Sequence, residues 1–331
     1  MSQPGGQWQF GVDERGKECL NLQTMKTKRN RIQIWLLCGT ILQTATNAQA
    51  QNLFVSAGGG NILEYTPGGS QSTFASSYGY PQNAYPEGLA FDSAGNLFVA
   101  DELEGNIFEF TPGGTKSTFA SGLNGPIGLA FSSAGNLFVS AGGGNILEYT
   151  PGGSQSTFAS SYGYPQNAYP EGLAFDNAGN LFVADELEGN ILEFTPGGQE
   201  TTFASGLNGP IGLAFNSAGN LFVSVRGGNI LEFTTGGAQS TFASRYGYPE
   251  GLAFDTAGNL FVADELEGDI YEYTPGGLET TFASGLNGPI GLAFQDESLT
   301  TPEPSALGLM TVGVILLFVR CRCRGTAAMS Q

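Results

Sequence analysis

Acidic residues recur in two short motifs that keep the same order at three places in the chain. A Pro-Glu-Gly motif comes first, and after a short, largely apolar stretch an Asp-Glu-Leu-Glu-Gly motif follows. Together the motifs contain these acidic residues: Glu87, Asp101, Glu102 and Glu104; Glu171, Asp185, Glu186 and Glu188; and Glu250, Asp264, Glu265 and Glu267. Carboxylates attract cations, and two carboxyl groups with separated pKa values can catalyse hydrolysis. The pattern therefore predicts an acidic ligand-binding surface built from three similar sectors.

Tyrosines cluster in the segments that precede the Pro-Glu-Gly motifs. Ser-Tyr-Gly-Tyr-Pro-Gln-Asn-Ala-Tyr-Pro at 77–86 recurs at 161–170, and a shortened form occupies 245–249. The tyrosines are Tyr78, Tyr80, Tyr85, Tyr162, Tyr164, Tyr169, Tyr246 and Tyr248. Tyrosine exposed beside carboxylates is suited to stack on a sugar ring and to hydrogen-bond it. The alternative is that these rings pack inward and anchor their loops.

The body of the chain, taken as residues 51–301, is strongly acidic. It contains three basic residues, Lys116, Arg226 and Arg245, against all but four of the 30 Asp and Glu of the chain. Such a charge repels nucleic acid and anionic membrane surfaces. The chain has no histidine, and its four cysteines lie outside the body. These absences exclude Ser-His-Asp catalysis, histidine zinc sites and a disulfide framework in the body.

Two tetrapeptides repeat through the body at intervals of about forty residues, a period typical of propellers and solenoids. Asn-Leu-Phe-Val begins at Asn52, Asn96, Asn136, Asn180, Asn220 and Asn259, and Gly-Leu-Ala-Phe begins at Gly88, Gly128, Gly172, Gly212, Gly251 and Gly291. Each unit predicts four short strands, which turn-forming sequences such as Thr-Pro-Gly-Gly connect. Four strands in a meander make a propeller blade. The sequence therefore predicts an all-β, six-bladed β-propeller over residues 51–296, with a β-solenoid as the alternative.

The phase of the repeat predicts how the ring closes. The body opens on the second strand of a unit, at 52–55, and ends on the first strand of a unit, at 291–294. An open solenoid needs capping repeats at its ends, whereas these two incomplete pieces complement each other. We therefore expect strand 291–294 to pair with strand 52–55 and to complete the sixth blade. In such a ring both acidic motifs lie on one face.

The sequence Gly-Leu-Ala-Phe-Asp-x-Ala-Gly-Asn-Leu-Phe-Val-Ala-Asp resembles NHL-repeat propellers and, more loosely, the SMP-30/gluconolactonase family. The resemblance covers essentially the whole body. It implies that Glu87, Glu171 and Glu250 converge on one calcium ion, the candidate cofactor. The family's other ligands, asparagine and aspartate from separate blades, have no distinct counterparts in this sequence. The alternative is that the acidic residues only keep a symmetrical surface soluble.

Residues 1–50 are interpreted as an N-terminal extension followed by a secretory signal peptide. A basic stretch at 26–31 precedes the apolar stretch 32–42, and Ala48-Gln49-Ala50 forms a small-x-small cleavage pattern. Translation that starts at Met25 fits this pattern as well as translation from Met1. The alternative to a signal peptide is an uncleaved N-terminal anchor.

Residues 297–331 are interpreted as a linker followed by a membrane sorting tail. Thr-Pro-Glu-Pro-Ser at 301–305 precedes the apolar run 306–319 and an arginine-rich end at 320–324. This order resembles the PEP-CTERM sorting signal of bacterial surface proteins, and it implies an exosortase-type processing enzyme as a partner. Arginines beyond an apolar segment keep that end cytoplasmic, so we expect the body outside a Gram-negative-type cell. A plain C-terminal anchor is the alternative.

Three nearly equal acidic sectors favour binding over catalysis. Acid–base hydrolysis needs carboxyl groups in unequal environments, whereas equal sites suit multivalent binding. The sequence therefore predicts a monomeric, surface-associated binding or scaffold module for an extracellular polysaccharide or protein ligand, with calcium as a candidate requirement. A calcium-dependent, lactonase-like hydrolase and a purely structural envelope or matrix protein are the alternatives.

Overall fold

The computed structural model describes residues 11–12, 18–19, 51–76, 86–160, 170–244 and 247–295. The predicted signal peptide and sorting tail lie outside these residues. No helix that is long and apolar enough to cross a membrane occurs in the described ranges.

Contacts between residues divide the chain into two units, Met1–Ala48 and Gln49–Gln331. In the first unit, β1 (Gly11–Val12) pairs antiparallel with β2 (Glu18–Cys19). The second unit contains six four-stranded antiparallel sheets, which are the blades of a β-propeller.

Three of the sheets are glutamate blades, a name we give them because their innermost strand begins Pro-Glu-Gly. Blade 1 consists of β6 (Pro86–Phe91), β7 (Leu97–Asp101), β8 (Asn106–Phe110) and β9 (Lys116–Ala120). Blade 3 consists of β14 (Pro170–Phe175), β15 (Leu181–Asp185), β16 (Asn190–Phe194) and β17 (Glu200–Ala204). Blade 5 consists of β22 (Pro249–Phe254), β23 (Leu260–Asp264), β24 (Asp269–Tyr273) and β25 (Glu279–Ala283).

The other three sheets are isoleucine blades, whose innermost strand begins Pro-Ile-Gly. Blade 2 consists of β10 (Pro126–Phe131), β11 (Leu137–Ala141), β12 (Asn145–Tyr149) and β13 (Gln155–Ser160). Blade 4 consists of β18 (Pro210–Phe215), β19 (Leu221–Val225), β20 (Asn229–Phe233) and β21 (Gln239–Ser244). Blade 6 consists of β26 (Pro289–Phe294), β3 (Leu53–Ala57), β4 (Asn61–Tyr65) and β5 (Gln71–Ser76). The two kinds of blade alternate, and the predicted all-β, six-bladed propeller is confirmed.

Blade 6 closes the ring with strands from opposite ends of the body. β26 pairs antiparallel with β3, so that Leu292 lies opposite Val55 and Phe294 lies opposite Leu53. The predicted pairing of 291–294 with 52–55 is thereby confirmed. Because the last inner strand completes the blade that the first strands begin, the ring needs no capping repeat.

The blades pack against one another through a repeated pair of phenylalanine rings. The phenylalanine of each second strand meets that of the next blade's inner strand edge to face, with ring centroids 5.0–5.1 Å apart. The pairs are Phe54–Phe91, Phe98–Phe131, Phe138–Phe175, Phe182–Phe215, Phe222–Phe254 and Phe261–Phe294. Such pairs contribute about 0.5–1.5 kcal/mol each beyond the area they bury. The phenylalanines of the two repeated tetrapeptides therefore supply a continuous contact around the ring.

Glycine allows the six inner strands to approach one another around the central channel. A Cβ atom added at Gly128 would overlap the main-chain carbonyl oxygen of Glu171 in the next blade. The same overlap occurs at every equivalent pair: Gly88 with Ile127, Gly172 with Ile211, Gly212 with Glu250, Gly251 with Ile290, and Gly291 with Glu87. The glycine of Gly-Leu-Ala-Phe is therefore a packing requirement. It brings the residue before it, glutamate or isoleucine, to the mouth of the channel.

Candidate binding site at the channel mouth

Three glutamates from three different blades line one cavity at the end of the channel where the inner strands begin. We call Glu87, Glu171 and Glu250 the glutamate ring; they are the second residues of β6, β14 and β22. The matching residues of the isoleucine blades line the same cavity, and they are Ile127, Ile211 and Ile290. The volume of the cavity is about 500 Å³. Carboxyl groups and apolar side chains thus alternate around the mouth.

A second set of glutamates reaches this cavity from the Asp-Glu-Leu-Glu-Gly corners. Glu102, Glu186 and Glu265 belong to the loops that follow β7, β15 and β23, and all three line the cavity. These loops return to the end of each blade at which the Pro-Glu-Gly motifs lie. The two acidic motifs of each glutamate blade therefore share one face and one cavity.

The aspartates that open these corners support the loop instead of lining the cavity. Asp101, Asp185 and Asp264 are at most 2% exposed. One oxygen of each accepts a hydrogen bond, 3.1–3.3 Å long, from the main-chain N–H of the glutamate three residues later. Those glutamates are Glu104, Glu188 and Glu267, and they are not among the cavity-lining residues of the described chain. Among the acidic residues of each corner, the first glutamate is therefore the one that lines the cavity.

Tyr248 lies among the described residues and lines the cavity. Its main-chain N–H donates a 3.1 Å hydrogen bond to Asp264, and its carbonyl oxygen accepts one of 3.0 Å from the N–H of Glu265. The acidic corner of blade 5 therefore holds the tyrosine at the mouth. The other predicted tyrosines lie outside the described residues, and they are Tyr78, Tyr80, Tyr85, Tyr162, Tyr164, Tyr169 and Tyr246.

Arg226 makes one side of the mouth different from the other two. It lies in the loop after β19 of blade 4, forms an ion pair with Glu186 of blade 3, and lies over the ring of Tyr248. The side chain of Glu186 is 8% exposed and that of Arg226 is 47% exposed. Arg226 therefore connects two neighbouring blades and the loop that leads into blade 5, while its side chain stays partly exposed.

The loops of the other isoleucine blades have no room for a side chain at this position. Gly58 and Gly142 stand where blade 4 has Arg226, and a Cβ at Gly58 would lie 2.9 Å from the amide nitrogen of Asn287. In blade 4 the contacts are rearranged, because the N–H of Arg226 donates to the carbonyl oxygen of Gly209. The side-chain amide of Asn208 then donates to the carbonyl oxygen of Arg226 over 2.6 Å. The prediction of three nearly equal sectors did not include this asymmetry, although an arginine in place of glycine in one repeat was its visible signal.

The carboxyl groups of the glutamate ring have raised pKa values. Burial is the main cause for all three. Glu171 further raises the pKa of Glu87, and Glu171 and Glu87 further raise that of Glu250. The pKa of Glu171 is raised to about 8, because burial, Glu186 and Glu102 raise it while Arg226 lowers it. The ring glutamates therefore hold their protons to higher pH than exposed glutamates do, and Glu171, whose pKa Arg226 lowers, is expected to ionise first.

The calcium site that the family resemblance implies does not match the arrangement of donors. Calcium takes about six to eight oxygen ligands. Within the described residues, no three Asp or Glu side chains are grouped closely enough to hold a metal ion. The residues between the ring glutamates are isoleucines, which offer no side-chain oxygen. Calcium binding by Glu87, Glu171 and Glu250 stays a prediction, and the side chains around it do not favour it.

The closed ring of six four-stranded blades defines the protein as a six-bladed β-propeller with a candidate ligand site at one end of its channel. A chain of the nidogen/laminin complex is similar, with a TM-score of 0.64 and 19% identity over 74% of this chain and 98% of that chain. Virginiamycin B lyase from Staphylococcus aureus has a TM-score of 0.58 and 16% identity, over 76% of this chain and 92% of the lyase.

A gluconolactonase from Xanthomonas campestris is also similar, with a TM-score of 0.59 and 19% identity, over 71% of this chain and 84% of the enzyme. Neither the protein-family profiles nor the curated proteins give a match to this sequence. At such low identities the likeness shows the shared fold and carries no activity from one protein to another.

Proposed function

We propose that the protein is an exported, surface-associated binding module that holds a carbohydrate ligand in the cavity at the channel mouth. The observation that carries the proposal is the alternation of carboxyl groups and isoleucines around one cavity. A sugar presents hydroxyl groups around an apolar face of C–H groups, so carboxyl groups can hydrogen-bond the hydroxyl groups while isoleucines pack against the C–H groups. The cavity volume of about 500 Å³ falls within the range of roughly 300–1,000 Å³ that is usual for small-ligand sites.

The protonation of the ring supports a neutral, hydroxyl-rich ligand. A carboxylate only accepts hydrogen bonds, whereas a protonated carboxyl group both donates and accepts them. Burial raises the pKa values of the ring glutamates, so they hold protons more readily than exposed glutamates and can meet hydroxyl groups in either role. Tyr248 adds an aromatic face with a polar tip on one side of the same cavity.

The export part of the proposal is supported by the two ends of the sequence. The basic and apolar stretches before Ala50 and the Pro-Glu-Pro motif with its apolar run and arginines have the order that such signals need. An exosortase-type enzyme is the expected processing partner, and the body is expected to act outside the cell as a monomer.

Each propeller should bind one carbohydrate ligand, and this binding should depend on the glutamate ring. A glycan array of the purified body identifies the best carbohydrate, and calorimetric titration then measures its affinity and stoichiometry. We expect one ligand per chain, and we expect the triple variant Glu87→Gln, Glu171→Gln and Glu250→Gln to bind about tenfold more weakly or worse, because an amide nitrogen only donates and an amide oxygen only accepts, whereas either oxygen of a carboxyl group can do both.

A matched control replaces the same number of carboxyl groups at positions outside the cavity. Glu64, Glu148 and Glu232 lie on the third strands of the isoleucine blades, where each accepts a hydrogen bond of 2.7–2.8 Å from an asparagine side chain. Their replacement by glutamine keeps that acceptor and should leave carbohydrate affinity unchanged. Absence of any glycan binding by the unaltered protein, or equal losses in the two triple variants, would refute the proposed function.

A lactone hydrolase is the second candidate, and the position of Arg226 favours it. Arg226 lowers the pKa of Glu171 relative to the rest of the ring, which gives the unequal carboxyl groups that hydrolysis needs. Ionised Glu171 would take a proton from water as the water oxygen adds to the lactone carbonyl. Protonated Glu87 or Glu250 would give its proton to the ring oxygen as the C–O bond breaks. Lactone turnover that Glu171→Gln abolishes would establish this reaction, and no turnover by the unaltered protein would exclude it.

A further inference from the structure

Three buried serines lie directly behind the glutamate ring. Ser56, Ser140 and Ser224 occupy the second strand of each isoleucine blade, on β3, β11 and β19. All three are 0% exposed. A buried hydroxyl group is stable only when its hydrogen bonds are satisfied, so the partners of these serines indicate what they hold in place.

Each serine bridges its own blade to a ring glutamate of the next blade. The Oγ atom of Ser140 accepts a 2.6 Å hydrogen bond from the N–H of Gly128 and donates one of 2.7 Å to the carbonyl oxygen of Glu171. The other two bridges have the same partners at 2.6–2.7 Å: Ser224 joins Gly212 to Glu250, and Ser56 joins Gly291 to Glu87. The main chain of every ring glutamate is therefore fixed by a hydroxyl group from the preceding blade.

The glutamate blades have alanine at the position of these serines. Ala100 lies opposite Ile107 in blade 1, just as Ser140 lies opposite Ile146 in blade 2. The equivalent residues in blades 3 and 5 are Ala184 and Ala263. Alanine has no hydroxyl group, so no such bridge reaches the carbonyl oxygens of Ile127, Ile211 and Ile290. The serine thus accompanies a glutamate in the next blade, and the alanine accompanies an isoleucine.

Blade 4 shows that the serine bridge is kept even where the surrounding repeat sequence differs. It carries Arg226 where the other isoleucine blades have glycine, and the loop before blade 5 is shortened. Despite these changes at the mouth, Ser224 keeps its bridge to Glu250. The serine bridge therefore occurs together with a ring glutamate in the next blade and does not depend on the sequence of the surrounding loops.

We propose that Ser56, Ser140 and Ser224 are positioning residues, which fix the main chain of Glu87, Glu171 and Glu250 so that the three carboxyl groups enter one cavity. Each inner strand is already packed too tightly at its glycine to move toward its neighbour. Loss of the bridge leaves the strand free only to shift outward, and the carboxyl group would follow it toward solvent. The proposal deepens the binding function proposed above and rests on it for the affinity measurement, but its titration test needs no ligand.

The test is the titration of individual glutamates in single serine variants. With glutamate side chains labelled by carbon-13, NMR follows each carboxyl group against pH in the unaltered protein and in Ser140→Ala. We expect the titration midpoint of Glu171 to fall by about half a pH unit or more, because a more solvated carboxyl group ionises more readily. Glu87 and Glu250 should shift less. Affinity for the best array carbohydrate should fall about fivefold.

Val139→Ala is the matched control, because Val139 is a fully buried neighbour on the same strand that takes no part in the bridge. It should lower thermal stability and leave the titration of Glu171 unchanged. If Ser140→Ala does not fold, Ser224→Ala and Ser56→Ala give the same test on Glu250 and Glu87. A folded serine variant whose paired glutamate titrates as in the unaltered protein would overturn the proposal. Absence of carbohydrate binding by the unaltered protein would refute only the binding function.

Discussion

Replacing Glu87, Glu171 and Glu250 together by glutamine is expected to stabilise the folded protein at pH 8 by about 4 kcal/mol or more, because the raised pKa of Glu171 alone accounts for about that amount. In the folded state, burial and neighbouring acidic groups raise the pKa of these carboxyl groups from 4.5, to about 8 for Glu171 and well above 4.5 for the others. In the unfolded chain they ionise near their ordinary value. Between the unfolded-state and folded-state pKa values, the folded protein binds more protons than the unfolded chain does. The unfolding free energy therefore falls as pH rises.

The pH window follows from the direction of these shifts. Below the ordinary glutamate pKa both states are protonated, and the stabilising contribution of the ring is fully present. It is lost progressively above that value and through the folded-state pKa of Glu171, at about 8. Each group that is protonated only in the folded state lowers the unfolding free energy by about 1.4 kcal/mol per pH unit.

Urea unfolding at pH 4, 6 and 8 measures this effect. The unaltered protein should lose stability across the series, and the triple ring variant should lose much less. The triple variant at Glu64, Glu148 and Glu232 should keep the pH dependence of the unaltered protein, because its substitutions lie outside the cavity. Stability that stays level or rises from pH 4 to pH 8 in the unaltered protein would contradict the raised pKa values.

The second large effect is expected at the glycines of the inner strands. Gly128→Val should destabilise the protein by more than about 4 kcal/mol and is expected to prevent ring closure. The added Cβ would overlap the carbonyl oxygen of Glu171 and lie 2.9 Å from the Oγ atom of Ser140. Both neighbours belong to tightly packed strands, so neither can move aside cheaply.

Gly152→Val is the control for this prediction. Gly152 lies in the turn between β12 and β13 of the same blade, and the nearest atom to an added Cβ is the Thr150 hydroxyl oxygen at 3.9 Å. Thermal melting of both variants should show a large loss for Gly128→Val and a change of within about 1 kcal/mol for Gly152→Val. Similar melting temperatures for the two variants would contradict the close approach of the inner strands.

The fold could be predicted from the sequence because each repeated position has one physical role that recurs in every blade. Gly128 permits the close approach of strands, and Phe98 packs on Phe131. The incomplete units at the two ends of the body could pair only by closing the ring. At these positions the repeated sequence pattern and the closed propeller require the same residues, so the sequence was sufficient to predict the fold.

The mouth was less predictable, because its chemistry depends on side chains that meet across blades. Spacing places Asp101 and Glu102 at the same end of blade 1, but Asp101 turns under its own loop to accept the N–H of Glu104. The three sectors were also treated as equal. Arg226 removes that equality by pairing with Glu186 of another blade, a contact that no spacing within one repeat reveals.

The claim that glutamates from separate blades share one mouth is tested most directly by the titration of Glu87 in the unaltered protein and in Glu171→Gln. Glu171 raises the pKa of Glu87, and it is expected to be ionised before Glu87 loses its proton. The account therefore predicts that Glu171→Gln lowers the pKa of Glu87, while Glu148→Gln leaves it unchanged. A pKa of Glu87 that does not respond to Glu171→Gln would show that the two carboxyl groups do not meet at one mouth.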